Sequence, residues 1–224
     1  MNTIVNSVDT DLLADKYRAN RYNAVKEQSQ GVSLLIIPGL NNSDENHWQT
    51  HWQNAFDNTH RIDIRDWHQA DLDKWRDGIL RALAVAGRPS VLVAHSFGAL
   101  AAASIAAEFP QWVEKLLLVA PADPDKFHIA QRLPQAPLPV PTQLIASSND
   151  PWMKESKAAL WANIWKAEYL CIDNIGHINS DSQIGIWPEG LQQLTKLIER
   201  KDHALAHQDQ HMKFKNPGQS AFAA

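Results

Sequence analysis

The sequence has few of the features that mark secreted or membrane proteins. Cys171 is the only cysteine among 224 residues, so no internal disulfide framework can form and a reducing compartment is indicated. No run approaches the roughly 18 apolar residues of a membrane-spanning helix. Asn2, Asn6 and Asp9 interrupt the start of the chain, where a secretory signal would be apolar. These absences predict a cytoplasmic protein without a membrane partner.

The chain also has no excess of positive charge. The chain has 21 Lys and Arg against 25 Asp and Glu, a net charge of −4, whereas a protein that binds nucleic acid typically carries a basic stripe. We therefore expect no nucleic-acid partner. The 44% hydrophobic and 21% charged content is typical of one globular domain with a substantial core.

The hydrophobic pattern predicts strands and helices that alternate along the chain. Short apolar runs predict six strands, at residues 32–37, 61–66, 91–93, 116–120, 143–146 and 169–172. Helices are predicted at residues 44–56, 71–86, 98–109 and 153–165, and a last one opens with Trp187-Pro188-Glu189. This order is typical of an α/β fold: a three-layer α/β/α sandwich with a mainly parallel sheet of about six strands.

The domain is predicted to span residues 31–200. Residues 1–30 are polar and weakly patterned, which indicates a poorly ordered extension or a short helix, and residues 201–224 form a polar tail. Prolines break any regular pattern between residues 121 and 141. That segment is too short for a large cap domain, so an open cleft is expected.

The stretch Ser90-Val-Leu-Val-Ala-His-Ser-Phe-Gly-Ala-Leu100 combines a buried strand, a sharp turn and an alanine-rich helix. Ser96, flanked by Ala94 and Gly98, nearly matches Gly-x-Ser-x-Gly, the nucleophile elbow of α/β-hydrolases. Small flanking residues are needed because strand and helix almost touch beside the serine. A serine at this place is also typical of a helix N-cap, so the motif by itself leaves both interpretations open.

Two later residues complete the order Ser, acid, His that this fold uses. Asp150 follows the fifth predicted strand and His177 follows the sixth. His177 would take the proton of Ser96, and Asp150 would orient the imidazole. Asp150 precedes a proline, where an ordinary turn residue also fits, and Asp173 is the alternative acid. The ordered triple match favours the catalytic interpretation.

The remaining site residues are predicted from the loops beside this triad. The N–H groups of Phe97 and Leu40 are expected to bind the oxyanion of the tetrahedral intermediate. Five further residues are predicted to line a pocket: Gly39, Asn41, His95, Trp152 and Trp187. Asn42 and His47 are alternatives for the mouth of the cleft.

No cofactor or metal is predicted. His47 and His51 have the i, i+4 spacing of a zinc pair but lack a third ligand. The tail histidines at positions 203, 207 and 211 share a helical spacing that is typical of a solvated segment. Cys171 lies within a predicted strand and is expected to be a small buried hydrophobe.

The chain resembles the small serine hydrolases that include the retinoblastoma-binding serine hydrolase and its bacterial relatives. The matching segments lie between residue 32 and about residue 200: Ile37-Pro-Gly-Leu, His47-Trp-Gln49, Ala94-His-Ser-Phe-Gly98, Ala146-Ser-Ser-Asn-Asp-Pro151, Gly176-His-Ile-Asn179 and Gly185-Ile-Trp-Pro-Glu-Gly190. The resemblance implies a lidless α/β-hydrolase with Ser96, Asp150 and His177 as its triad. It also implies activity on small esters or peptides, and it accounts for Ala94, since that family often relaxes the first glycine.

The resemblance does not extend to every partner. The retinoblastoma contact of one relative uses Leu-x-Cys-x-Glu, whereas Leu170-Cys171-Ile172-Asp173 does not match it, so no such partner is predicted. The sequence favours a serine hydrolase that cleaves a small ester, thioester or amide through an acyl-enzyme. A binding protein without turnover and an acyltransferase on the same triad remain the alternatives.

Overall fold

A computed structural model describes residues 31–200, which form one six-stranded sheet. All strand pairs are parallel, in the order β2-β1-β3-β4-β5-β6. The strands are β1 (Leu34–Ile37), β2 (Thr59–Arg61), β3 (Ser90–His95), β4 (Val113–Val119), β5 (Thr142–Ser147) and β6 (Glu168–Ile172). The predicted parallel α/β architecture is confirmed.

Five helices cover the two faces of the sheet. They are α1 (Trp48–Ala55), α2 (Leu72–Ala86), α3 (Phe97–Glu108), α4 (Glu155–Trp165) and α5 (Pro188–Glu199). Residues of α2, α3 and α4 share one apolar cluster with the sheet, and residues of α1 and α5 share the other. Strands β1 and β3 are buried along their whole length, because both of their faces are covered by helices.

The second strand was predicted too late in the chain. β2 spans Thr59–Arg61 and pairs with the first three residues of β1, and the last bond of this ladder runs from Ile62 N–H to Ile36 O over 3.1 Å. The alternating Ile62 and Ile64 that suggested a strand are both buried in the core beyond the strand end. The alternation of apolar and polar residues here reflects burial of an extended connection and does not indicate pairing with another strand.

Two sheet positions differ from the expected burial. Cys171 was expected to be buried, but it is half-buried because β6 is an edge strand. Burial raises the pKa of its thiol above the ordinary value. At the opposite edge, β2 is also only partly buried.

The helix starts follow from their capping residues. α1 starts at Trp48, four residues later than predicted, because the Nδ1 atom of His47 accepts the N–H of Gln49 over 3.2 Å and caps the helix there. Asp71 caps α2 as predicted, accepting from the N–H groups of Asp73 and Lys74.

Helix α3 is buried almost all round, as its alanines suggest. Its residues from Phe97 to Ala106 are all buried, so small side chains let it lie directly on the sheet. The closest approach is at Gly98, where a Cβ atom would lie 2.6 Å from the Ile37 carbonyl oxygen and closer still to that of Pro38. Only glycine fits at this point of the elbow.

The proline-rich connection between β4 and β5 contains two short 3₁₀ helices, Pro124–Phe127 and Ala130–Arg132. No cap domain is built there, which confirms the minimal form of the fold. Within residues 31–200, no helix is both long and apolar enough to cross a membrane. The expectations for residues 1–30 and 201–224 lie outside the described residues.

Candidate active site

Ser96 occupies a strained turn between β3 and α3. Its backbone has φ 54° and ψ −124°, which an L-residue adopts only at a cost of about 1–3 kcal/mol. Its N–H donates to Val119 O over 3.1 Å. The side chain makes no capping bond to the helix, and its hydroxyl instead lies 2.9 Å from Nε2 of His177. Ser96 thus occupies the N-cap position of α3, as the alternative interpretation had it, but its side chain faces His177 and does not cap the helix.

His177 joins this hydroxyl to Asp150. In the neutral imidazole, Nδ1–H donates to both carboxylate oxygens of Asp150, at 2.8 and 3.0 Å, and Nε2 accepts the hydroxyl of Ser96. The imidazole is 9% exposed and the Asp150 side chain 2% exposed, so both are largely shielded from water. Asp173, the alternative acid, is exposed and makes no hydrogen bond to His177.

The turn around Asp150 is tied to the loop around His177 by side-chain acceptors. Three backbone N–H groups of the histidine loop donate to the turn: Ile175 to Ser147 Oγ, Asn174 to Ser148 Oγ and Gly176 to Asn149 Oδ1, at 2.7–3.2 Å. The carboxylate of Asp150 also accepts the N–H of Trp152 over 2.8 Å. The Ser-Ser-Asn-Asp sequence thus fixes the position of Asp150 relative to His177.

The carbonyls of two consecutive residues fix the histidine loop from the other side. Nε2–H of His95 donates to His177 O over 2.9 Å, and Nε1–H of Trp48 donates to Ile178 O over 2.8 Å. Ile178 has φ 50°, a strained value for a β-branched residue. The loop keeps this conformation because its carbonyls are held.

Two further histidines lie behind His177. The His95 ring centroid is 4.9 Å from both the His177 and the His47 rings. Burial lowers the pKa of His95 well below its usual range and that of His47 to about 4. Both rings are therefore neutral near neutral pH and place no positive charge beside a protonated His177.

The two expected oxyanion donors are free to bind a ligand. Among the described residues, neither Phe97 N–H nor Leu40 N–H donates to another protein group, whereas the next N–H, that of Asn41, donates to Trp67 O over 2.9 Å. Gly39 brings this loop onto the elbow, since a Cβ atom there would lie 2.6 Å from the Cβ of Ser96. The residue directly before Leu40 is thereby packed against Ser96.

A cleft of about 450 Å³ opens above Ser96 and His177. Three of the predicted pocket residues line it: Asn41, His95 and Trp152. Gly39 does not line it and is buried against Ser96 instead. The alternatives Asn42 and His47 also line the cleft.

Trp187 was predicted to wall this cleft, but the structure places it in the core. It is 2% exposed, with its ring 5.2 Å from that of Trp48 and 6.1 Å from that of Trp52. A side chain at Gly190 would overlap the Trp187 ring. The missing side chain at Gly190 and a left-handed backbone at Trp187, φ 51°, turn the indole inward.

Several cleft residues were missed at the sequence level. They lie in the loops after β1, β4 and β6: Asp44, Ala122, Asp123, Lys126, Phe127, Asn179, Ser180 and Asp181. Their position after the carboxyl ends of predicted strands was the available signal. Asp44 and Ser180 close one end, since Ser180 Oγ donates to Asp44 over 2.7 Å and this bond lowers the pKa of Asp44.

The zinc interpretation of His47 and His51 gains no support from the geometry. Within residues 31–200, no group of three His, Cys, Asp or Glu side chains is placed to hold a metal ion. Nδ1 of His47 is occupied as the cap of α1.

The chain is similar to known proteins in sequence and in structure. The sequence profile described as "Serine hydrolase" matches residues 34–196. A solved structure described as a YdeN-like hydrolase from Pectobacterium atrosepticum is 40% identical, covers 82% of this chain and 97% of its own, and has a TM-score of 0.75.

More distant structures share the fold. The ydeN gene product from B. subtilis is 19% identical with a TM-score of 0.63, and it covers 75% of this chain and 100% of its own. Est1E from Butyrivibrio proteoclasticus, solved with bound ferulic acid, is 16% identical with a TM-score of 0.61, covering 75% and 90%. A search of curated proteins gave no significant match. On the profile match and the 40% identical structure, the chain belongs to the serine hydrolase family.

Proposed function

We propose that the protein hydrolyses a small ester, thioester or amide through a covalent acyl-enzyme on Ser96. The observation that carries this proposal is the continuous chain of hydrogen bonds from Asp150 through His177 to the Ser96 hydroxyl, at 2.8 and 2.9 Å. A hydroxyl is a poor nucleophile near neutral pH and needs such a base. The hydrogen-bonding distances among the three side chains support this role.

In the first step Ser96 Oγ attacks the substrate carbonyl carbon while His177 Nε2 takes the hydroxyl proton. Asp150 keeps Nδ1 protonated and stabilises the imidazolium. The oxyanion accepts from Phe97 N–H and Leu40 N–H, each worth roughly 3 kcal/mol in a water-poor site. When the carbonyl re-forms, the bond to the leaving group breaks and His177 protonates that group.

The second step repeats the first with water. His177 removes a proton from water, the hydroxide attacks the acyl carbon, and Ser96 leaves with the proton that His177 returns. The neutral state of His47 and His95 supports both steps, because two positive neighbours would oppose the imidazolium.

The cleft favours small substrates. Its volume of about 450 Å³ suits a ligand of modest size, and it carries no cap domain to enclose a long chain. Phe127 and Trp152 provide aromatic surface, while Asn41 and Asp44 are polar. Est1E, which has the same fold, was solved with ferulic acid, and an aromatic acyl group of that size is a sensible first substrate. We also propose a cytoplasmic location, on the single cysteine.

Labelling with a fluorophosphonate tests the proposal. This reagent phosphonylates a serine only when a neighbouring base activates it, so wild type is expected to react and Ser96→Ala to lose all labelling and turnover. A wild-type protein that does not react, or an Ser96→Ala variant that reacts equally, would contradict the hydrolase proposal and favour a binding protein without turnover.

A further inference from the structure

We propose that Gln49 is a positioning residue that holds the oxyanion loop, residues 38–43, in register with the nucleophile strand β3. The inference rests on the proposed function, since it concerns how the Leu40 N–H is aimed. Gln49 lies outside the cleft and does not touch substrate. Its role is therefore exerted through the loop.

Gln49 is fully buried, and its amide binds three separate segments. Nε2 donates to Ile37 O at 3.3 Å, at the end of β1, and to Val93 O at 3.0 Å, in β3 just before the elbow. Oε1 accepts the hydroxyl of Ser43 at 2.7 Å. Both amide hydrogens and the amide oxygen are thus engaged. One side chain joins two strand ends and the far end of the oxyanion loop.

The loop requires such support because its path is irregular. Asn41 and Asn42 have φ values of 65° and 63°, a left-handed conformation that asparagine tolerates better than other non-glycine residues, so contacts with other segments have to fix its position. The near end of the loop is held by Nε1–H of Trp75, which donates to Pro38 O over 2.8 Å. At the far end, Gln49 binds the side chain of Ser43, while Thr50 and Arg61 donate to the Ser43 backbone oxygen at 3.1 and 3.0 Å. Leu40 N–H lies between these anchors, and among them Gln49 is the one that also binds the strand that leads to Ser96.

The same helical turn also supports the catalytic base. Trp48, the neighbour of Gln49, donates to Ile178 O directly after His177. The first turn of α1 therefore contacts the histidine loop on one side and the oxyanion loop and nucleophile strand on the other. The His47-Trp-Gln49 segment therefore connects the histidine loop with the oxyanion loop, in addition to capping α1.

A comparison within the same two strands separates positioning from plain stabilisation. At the amino ends of β1 and β3, Ser90 Oγ donates to Ser33 Oγ over 2.8 Å, and both serines are buried. That bond joins the strands without reaching the oxyanion loop. Gln49 joins them at the carboxyl ends and adds the contact with Ser43. Ser90→Ala is thus a matched control for Ser43→Ala, since each removes one buried serine hydroxyl.

The experiment compares Gln49→Met, Ser43→Ala and Ser90→Ala with wild type on a small ester and on its thionoester, well below the melting temperature. The thionoester places sulfur, a weaker hydrogen-bond acceptor, at the oxyanion position. The ratio of kcat/KM for ester over thionoester therefore reports the alignment of the oxyanion donors, which general destabilisation does not change.

We expect kcat for the ester to fall about tenfold in Ser43→Ala and about 100-fold in Gln49→Met, with KM within about twofold, because small displacements of catalytic donors are costly. The ester-to-thionoester ratio falls in both variants. Ser90→Ala loses stability comparable to Ser43→Ala but keeps the wild-type kcat and ratio.

The positioning role is overturned if Ser43→Ala and Gln49→Met keep wild-type kcat, if both substrates lose rate equally, or if Ser90→Ala behaves like Ser43→Ala. Should Gln49→Met not fold, Ser43→Ala decides alone, since it leaves the Gln49 bonds to Ile37 and Val93 in place. Fluorophosphonate labelling of wild type at Ser96 separates the two proposals. If wild type is labelled and the variants show none of the expected losses, only the role of Gln49 is removed. If wild type is not labelled, the hydrolase proposal itself fails.

Discussion

The two ends of the sheet are built differently. In the connections that follow the carboxyl ends of the strands, nine non-glycine residues have a positive φ: Asn41, Asn42, Ser96, Ala120, His128, Asn174, Ile178, Gln183 and Trp187. At the amino ends, the left-handed positions of the described chain are Gly31 and Gly87, with Lys166 as the non-glycine exception. Glycine adopts this conformation freely and other residues do not. Conformational strain is therefore concentrated at the end that carries Ser96 and His177.

This difference indicates that the carboxyl end contains less stable backbone conformations, which place the side chains of the candidate site. The strained residues at the carboxyl end are held by directed side-chain bonds, such as those of Trp48, Gln49 and His95 to backbone carbonyls. Side chains also bind backbone carbonyls at the amino end, as Arg88 does at Gly31 and Lys115 at Arg200, but most left-handed positions there are glycines, which carry little strain. Changes at the carboxyl end should therefore affect turnover, and matched changes elsewhere should affect stability alone.

The largest effect is expected for Asp150→Asn. An asparagine does not hold His177 in the Nδ1–H tautomer, so kcat should fall by about 10³–10⁴-fold while the fold is kept. Steady-state kinetics on a small ester measures this. Asp173→Asn is the control at the same end of the sheet and should leave kcat unchanged, because Asp173 is exposed. If Asp173→Asn were the damaging change, the acid would be assigned wrongly.

The next largest effect is expected for Gly98→Ala. The new Cβ would overlap the carbonyl oxygens of Ile37 and Pro38, which are backbone atoms that cannot rotate away, so we expect a loss of about 3–4 kcal/mol in unfolding free energy and a lower kcat. Urea denaturation followed by tryptophan fluorescence measures the first.

Gly87→Ala is the matched change at the amino end. Gly87 has φ 64° but open space around it, so the variant should lose only about 1 kcal/mol and keep wild-type turnover. If Gly87→Ala lost as much turnover as Gly98→Ala, the proposed difference between the two ends of the sheet would be wrong.

A smaller and graded effect is expected from pH. Burial lowers the pKa of His47 to about 4 in the folded protein, against an unfolded value of about 6.5. Between these two pH values the unfolded chain binds more protons than the folded protein. The contribution of neutral, buried His47 to the unfolding free energy is therefore fully present above pH 6.5 and is lost as the pH falls toward 4. The loss from His47 is about 3 kcal/mol between pH 7 and 4. The lowered pKa of His95 adds to it in the same direction.

His47→Asn should flatten this dependence. Asparagine can still cap α1 but does not titrate, so unfolding free energies from urea titrations should fall less steeply below pH 6.5 than in wild type. A variant with an unchanged slope would show that His47 does not titrate in this range on unfolding.

Much of the architecture was predictable from local patterns. The strand-turn-helix around Ser96 was recognisable because apolar β-formers, small flanking residues and alanines occupy consecutive positions. The proximity of Asp150 and His177 to Ser96 followed from one rule, that parallel strands bring their carboxyl ends to the same edge. The position of β2 was wrong because the alternation of Ile62 and Ile64 reports burial and not pairing.

Other features depend on contacts between distant residues. Trp187 follows His177 in the connection between β6 and α5, but its left-handed backbone and the space at Gly190 direct the ring into the core. Asp44 and Ser180 meet across the cleft although 136 residues separate them. No periodicity or spacing predicts such pairs.

By itself, the sequence determined which side chains are candidates for the chemistry and in what order they follow the strands, because the proposed nucleophile, acid and base each lie in a short local motif. Only the tertiary structure decided how these groups are held. Gln49 is an ordinary helix residue in the sequence, and it becomes a link between Ile37, Ser43 and Val93 only when the folded sheet brings three segments around one buried amide. A buried amide is stable only when its hydrogen bonds are satisfied, and its partners come from the fold as a whole.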